Sequence, residues 1–282
     1  MNSSLATQGT QDTVTIIKPS VGWQLADLKE LKEYQDLFFF LVWRDIKVIY
    51  AQTIFGFAWA IFNPLVQIVV FTVIFGNIAK LSTEGIPYVL FATLGVIPWT
   101  YMSQAMSASS QSLVSGKSML GKIYFPRLIF PLSSLLSKLL DFVISMGIVL
   151  CVMMYFHVSP TWNLIYLPIF FMMMILIPAG VGLWFSSLAI RFRDVRFIMQ
   201  FLMQMLMYSA PIVYSASTIP DGYRFFYSLN PIVGVIEGYR ACLLGLPIEW
   251  MYVWPGIAIA ILIFISGAIY FKRTEFLMVD VI

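Results

Sequence analysis

The chain has 282 residues, of which 60% are hydrophobic and 11% charged, where a soluble domain carries about 25% charged residues. That excludes a water-soluble globular domain and makes the chain a membrane protein. A formal net charge of +3 gives no argument for a nucleic-acid partner, and none is expected.

In chain order, residues 1–27 form a polar cytoplasmic tail without the apolar run of a signal peptide, so no cleavage is expected. Residues 28–50, "LKELKEYQDLFFFLVWRDIKVIY", bring Leu37, Phe38, Leu41, Val42, Ile46 and Ile49 to one side at helical spacing. Asp36, Arg44, Asp45 and Lys47 fall on other faces, which predicts an amphipathic helix in the membrane interface. It serves as an anchor alone or as a headgroup contact, with Arg44 and Lys47 at the level of lipid phosphates.

Residues 51–282 hold the spans. A helix needs about 20 apolar residues to cross ~30 Å of hydrocarbon. Uncharged runs cover 48–79, 85–116, 142–190, 197–220 and 250–271. The third is too long for one crossing, and His157, Ser159, Pro160 and Asn163 divide it, since such a cluster is turn chemistry. Six spans result, near 56–79, 87–112, 135–156, 163–190, 197–218 and 251–271. Lys138 and Asp141, three apart near the start of the third, can pair on one helix face. All of the 17 Lys and Arg residues except Lys80, Arg224 and Arg240 then lie on the side of the N-terminus. By the positive-inside rule both termini are cytoplasmic, and "RFRDVR" at 191–196 is a short inner loop. That rule accounts for Arg191, Arg193 and Arg196 but not for Asp194.

Between spans five and six, residues 219–249 are too short in their apolar pieces to cross, and they carry Asp221, Arg224, Glu237, Arg240 and Glu249. Asn230 and Pro231 start a helix well: Asn caps free N–H groups, and Pro at the first position has none to waste. Gly245 and Pro247 suit its stop, so a helix is predicted from 231 to about 244. Its apolar density argues for re-entrant or interfacial helices over a solvated loop. Glu237 and Arg240, three apart, are expected to pair as an outer gate. Single charge reversals should then impair function and a double reversal partly restore it. The fold expected is an all-α integral membrane protein with six transmembrane helices, an N-terminal amphipathic interface helix and short re-entrant helices between spans five and six.

Chemistry-bearing motifs are scarce. Cys151 and Cys242 lie far apart and form no CxxC, lone His157 has no cluster, and the 16 methionines read as packing. No metal site is expected. "SGKS" at 115–118 matches the end of a phosphate-binding loop, but Gln111 stands where its first glycine belongs and no strand precedes it. The chain is therefore not expected to hydrolyse ATP.

Several stretches, in order, carry a family likeness: "LVWRDIKVIYAQTIFGFAWAIFNPL" at 41–65, "KIYFPRLIFPLSSLLSKLLDF" at 122–142, "RFRDVR" at 191–196, then "APIVYSASTIP" and "LNPIVGVIEGYRACLLG" within 210–245. With them, from about Tyr34 to Gly245, the chain resembles the permease subunit of the ATP-binding-cassette polysaccharide exporters of O-antigen, capsule and wall teichoic acid. One departure is Ala210 before Pro211, where the family more often has Ser. The resemblance implies a homodimer in the bacterial inner membrane, bound to two copies of a separate ATPase that holds ATP and Mg. It implies no cofactor in this chain. The substrate would be a lipid-linked polysaccharide, most closely O-antigen on undecaprenyl pyrophosphate. A coupling helix at about 115–127 would seat on the ATPase through Lys122, Tyr124, Phe125, Pro126 and Arg127, with Arg191, Arg193, Asp194 and Arg196 as a second contact. Asp194 is expected to pair with a neighbouring arginine or with the partner. Arg44 and Lys47 would meet the pyrophosphate, and Asn230, Pro231, Glu237 and Arg240 would form the outer gate.

A sugar-tolerant path asks for aromatic faces with polar tips. Trp99, Tyr101, Trp184, Tyr208 and Tyr214 are candidates, although aromatic belts at membrane interfaces are ordinary. Phe62, Asn63 and Gln67 in the first span add a further stretch, and Pro64 removes one backbone hydrogen bond there. An ion-coupled secondary transporter would need mid-membrane acids or inverted repeats. A membrane-embedded transferase would need clustered acids or a metal. Neither pattern appears.

Overall fold

The computed structural model describes residues 32–51, 55–120, 125–159 and 161–275. The tail at 1–27, Lys122 and Tyr124 lie outside the described residues. Among those described, every regular element is helical. Helix α1 spans Gln35–Tyr50, and α2 runs Ala58–Phe71 before widening into a π-helical stretch, Thr72–Ile78. Helix α3 is Tyr88–Ser115, followed by one turn at Lys117–Leu120. Helices α4 (Ile129–Ser137) and α5 (Leu139–Tyr155) meet at Lys138. A 3-10 turn, Trp162–Tyr166, leads into α6 (Leu167–Arg191), and α7 covers Val195–Ser209. Then follow α8 (Asp221–Ser228), α9 (Pro231–Leu244) and α10 (Trp250–Glu275).

Among the described residues, four stretches are long and apolar enough to cross a membrane: Ala58–Ile78, Ile129–Tyr155, Trp162–Arg191 and Trp250–Glu275. The third expected span therefore begins earlier than 135, at Ile129, because the serines and Lys138 that make it look interfacial are folded into the helix pair α4–α5. Helix α3 has 28 residues, but its second half is rich in Ser and Gln. Helix α7 has 15 residues, about 22 Å at 1.5 Å per residue. It stops at Ser209 and not near 218 because Pro211 drives Ala210 out of the helical region, to φ −103 and ψ 152.

Helix α3 is the centre of the bundle. It packs on α4, α5 and α6, and α6 packs in turn on α10. Close approach is possible because the facing residues are small. The Ser109 hydroxyl donates to the Pro131 carbonyl at 3.0 Å. Ser110, Ser112, Ser186 and Ser187 each donate to a carbonyl one turn back. With their hydroxyls satisfied inside the helices, these serines are buried without an open donor. Gly180 and Gly267 bring α6 and α10 into backbone contact: a Cβ on Gly267 would lie 2.5 Å from the Gly180 carbonyl oxygen.

Helices α3, α6 and α10 all finish at one end. There Leu41 of α1 packs with Leu113, Phe125, Phe130, Leu183 and Phe271. The face of α1 chosen by its spacing is the packed one, but its other side is not polar: Phe39, Phe40 and Trp43 are exposed. Helices α2 and α7 leave most of their surface uncovered, including Phe62, Val66, Val69 and Val73 on one and Phe197, Phe201, Met205 and Tyr208 on the other.

Gly267→Val should lower the thermal stability of the detergent-purified protein by about 1–3 kcal/mol, the cost of overpacking. Gly147 of α5 has open space around its Cα, so Gly147→Ala should leave stability unchanged or raise it by about 0.5–1 kcal/mol.

Candidate functional site

Two polar regions stand out, one at each end of the bundle. At the end where α3, α6 and α10 finish, Phe125 is buried against the Phe130 ring at 5.5 Å. Beside it, Pro126 and Arg127 are half-buried. The Arg127 backbone N–H donates to Glu275 Oε1 at 3.3 Å and its Nη1 to the Glu275 carbonyl at 2.7 Å. Lys272 holds the same carboxylate at 3.1 Å. This tie between the segment before α4 and α10 has no local signal in the sequence, because its partners lie 148 residues apart.

Arg191, Arg193, Asp194 and Arg196 are exposed around the α6–α7 junction. Asp194 forms no ion pair among the described residues; its carbonyl instead accepts from Phe197 and Ile198 N–H at the start of α7. Arg44, expected at the level of lipid phosphates, is held by a neighbouring carboxylate. Its Nη2 and Nε donate to Asp45 Oδ1 at 2.7 and 3.1 Å, and Asp45 also accepts from Ser134 at 3.0 Å. Lys47 is exposed beside the Trp43 ring.

At the far end the arrangement centres on Arg240, which is 1% exposed. A guanidinium so buried needs most of its donors met, and only Nε lacks a partner among the described residues. Nη1 donates to Glu237 Oε1 at 3.1 Å, and Nη2 donates to the Ile212 and Phe91 carbonyls at 2.9 and 3.3 Å. Its Cζ lies 3.5 Å from the centroid of the Phe91 ring, a cation–π contact. Gly95 leaves the space: a Cβ there would stand 2.6 Å from Nη2. Glu237 also accepts from the Ala216 N–H at 3.3 Å. Ser215 donates to Glu84 at 2.7 Å, and hydrogen bonds from Ser217 and Ser215 hold the Glu84 carboxyl below its usual range. Tyr88 donates to the Val213 carbonyl at 2.8 Å. The segment 210–218 is thus clamped between α3 and α9.

Helix α9 is capped as its residues specify. Asn230 Oδ1 accepts from Ile232 N–H at 3.1 Å, Pro231 takes the first position, and Gly245 closes the helix at φ 70. Asn230 Nδ2 also reaches Ser209 Oγ at 3.3 Å, tying α9 to the end of α7.

The aromatic candidates separate into two groups. Trp99 and Tyr101 are buried in the helix packing, and Trp184 stacks on Tyr270 at 4.2 Å while donating to Ser266. Phe62 and Tyr208 face outward, and Tyr214 donates to the Tyr208 carbonyl at 3.3 Å. Asn63 is exposed on α2, and Gln67 accepts from Thr100 at 3.4 Å.

Apolar helices long enough to cross, packed through small residues and carrying distinct polar chemistry at each end, define a multi-pass membrane protein. Residues 36–244 match the ABC-2 type transporter family, and the chain belongs to it. It is 26% identical over 216 residues to the O-antigen export system permease protein RfbA of Myxococcus xanthus, covering 76% of this chain and 82% of that protein. The RfbA protein of Klebsiella pneumoniae is 23% identical over 248 residues, covering 88% of this chain and 95% of its own length. The polysialic acid transport protein KpsM of Escherichia coli is 22% identical over 246 residues, covering 82% and 91%.

The geometry narrows the charge-swap expectation for Glu237 and Arg240. Arg240 also serves two backbone carbonyls, so a carboxylate at 240 would face acceptors, and Glu237→Arg with Arg240→Glu should not rescue. Arg240→Glu alone should cost about 3–5 kcal/mol, the scale for breaking a buried ion pair. Thermal unfolding of the single and double variants checks both statements.

Proposed function

We propose that this chain is the permease subunit of an ATP-binding-cassette exporter that moves a lipid-linked polysaccharide across the bacterial inner membrane, with O-antigen on undecaprenyl pyrophosphate as cargo. The observation that carries the reading is the similarity to O-antigen export permeases along nearly their whole length. The likeness to KpsM favours a capsular polysaccharide as the second reading; teichoic acid is a third member of the same class.

In this reading the chain crosses six times, with α3 and α7 completing the four apolar spans. Helix α7 carries the chain from Arg191 at one end to Ile212 at the other, which supports counting it as a crossing. Both termini are then cytoplasmic, and α1 lies in the inner interface with Phe39, Phe40 and Trp43 in lipid. Two copies enclose the path between their α2 and α7 helices, whose uncovered faces carry Phe62, Asn63 and Tyr208. Tyr214 lies at the outer mouth, where the Glu237–Arg240 clamp, Asn230 and Pro231 hold the gate segment. The packing of Trp99 and Trp184 argues against their facing the path.

ATP and Mg bind the partner ATPase, two copies of which dock below. The coupling segment at 115–127 presents Lys122, Tyr124, Phe125, Pro126 and Arg127, and the Arg127–Glu275 tie joins any push there to α10. The exposed Arg191, Arg193, Asp194 and Arg196 offer charges of both signs to that partner. Lys47 and the Asp45-held Arg44 stand where the pyrophosphate meets the inner leaflet.

Deleting the gene should abolish surface polysaccharide and accumulate lipid-linked polymer inside; unchanged surface glycan would overturn the reading. Asp194→Ala should weaken ATPase docking by up to about fivefold, the scale of a rim ion pair, measured by co-purification and by ATPase stimulation.

A further inference from the structure

Between α1 and the helices packed against it, the protomer holds two adjoining cavities. The first, about 200 Å³, is bordered by Tyr50, Trp59, Asn63, Tyr101, Gln104 and the Lys138–Asp141 pair. The second, about 270 Å³, is bordered by Arg44, Gln111, Ser112, Ser115, Ser134 and Lys138. Ile49 and Lys138 line both. Lys138 stands at the joint between α4 and α5, 3.7 Å from Asp141, which also accepts from the Tyr50 hydroxyl.

Two polar atoms in these walls are buried and lack a hydrogen-bond partner among the described residues: the Tyr101 hydroxyl and Gln111 Nε2. The Tyr101 side chain is nearly sealed, at 2% exposure. Unmet buried donors are costly and rarely retained without a use. A polar cavity of this size admits roughly six or seven waters, or a ligand that replaces them.

The chambers differ in chemistry. The first sets aromatic rings of Trp59 and Tyr101 beside the amides of Asn63 and Gln104 and a carboxylate balanced by its own ammonium. That is a neutral lining, rich in donors and acceptors against flat apolar faces, and it suits a hydroxyl-bearing ring. Across the two chambers Arg44 and Lys138 are balanced by Asp45 and Asp141. What the second offers a phosphate is therefore hydrogen-bond donors and not net charge: the guanidinium, the ammonium, the serine hydroxyls and the open Gln111 amide.

We infer that the paired chambers form one headgroup site for a lipid-linked glycosyl phosphate, with the phosphate beside Arg44 and Lys138 and the first sugar ring between Trp59 and Tyr101. Lys138 contacts both parts. The inference rests on the export reading and extends it by assigning a sugar subsite inside a single protomer, bordering the path-lining side of α2 at Asn63.

The test uses the full-length protein in nanodiscs and native mass spectrometry. Its probes are undecaprenyl diphosphate carrying one N-acetylglucosamine, undecaprenyl diphosphate alone, and soluble N-acetylglucosamine 1-phosphate. Tyr101→Phe and Gln104→Leu should each weaken the glycosylated lipid roughly three- to tenfold, the scale of one hydrogen bond, and leave the bare lipid unchanged. Lys138→Met should weaken both lipids. Because the Tyr101 hydroxyl has no partner among the described residues, Tyr101→Phe should melt no lower than wild type, which separates lost recognition from lost folding. Wild-type affinity for the glycosylated lipid in both Tyr101→Phe and Gln104→Leu would mean that the chambers hold water only and overturn the site. Soluble sugar phosphate binding as tightly as the glycosylated lipid would overturn the lipid assignment. Either result leaves the export reading standing if the deletion strain accumulates lipid-linked polymer; a strain that accumulates none removes that reading and this inference with it.

Discussion

A charged group withdrawn from water must find its partners within the protein, and at the far end of this bundle one arginine does so through both terminal nitrogens by recruiting three separate parts of the chain, with only Nε left open among the described residues. Arg240 takes a carboxylate from its own helix, carbonyls from α3 and from the segment after α7, and the face of Phe91. Breaking any one partnership leaves a buried donor open. The positions of α3, α9 and the 210–218 segment are therefore mutually dependent, and the end of α7 inherits its place from them. The Asn230–Ser209 contact repeats the same link by a second route.

The apolar body obeys the same constraint in a milder form. Without water, packing cannot rely on expelling apolar surface, so helices associate where small side chains allow backbones to approach and hydroxyls to be satisfied locally. Helix α3 illustrates this. Its Ser-rich half appears too polar for a membrane by composition, yet Ser109, Ser110 and Ser112 are buried with their hydroxyls committed to carbonyls. The more apolar α2 sits at the edge of the protomer instead. Hydropathy thus does not report depth in the bundle: α3 is central despite its polar half, whereas α6, the most apolar of the four long spans, is also the most buried of them.

The same contrast explains what could be read from the residues alone. Local chemistry was legible: Asn230, Pro231 and Gly245 mark the bounds of α9, and the three-residue spacing of Glu237 and Arg240 pairs them. The end of α7 was harder, since "APIVYSASTIP" remains uncharged past Ser209 and only Pro211 signals the break. Contacts between distant segments left no trace in spacing. Nothing in the order of residues ties Arg127 to Glu275 or sets Ser134 against Asp45, and the reach of Arg240 to Phe91 and Ile212 depends on how helices far apart in the chain are laid side by side. The burial of Trp99 and the stacking of Trp184 on Tyr270 are likewise properties of the packed bundle; a tryptophan in the sequence alone fits a core, an interface belt or a path equally.

The Arg127–Glu275 tie has a further consequence for biogenesis. Helices α1 to α9 leave the ribosome before α10, and until α10 inserts, the face of α6 around Gly180 has no companion and Arg127 has no carboxylate to bind. The end of the bundle that holds Phe125, Arg127 and Glu275 is therefore completed only once α10 is in place. A nascent chain stalled short of that point would leave the Arg127 guanidinium and the Gly180 face unmatched, so the last helix to be made is the one that fixes the segment before α4.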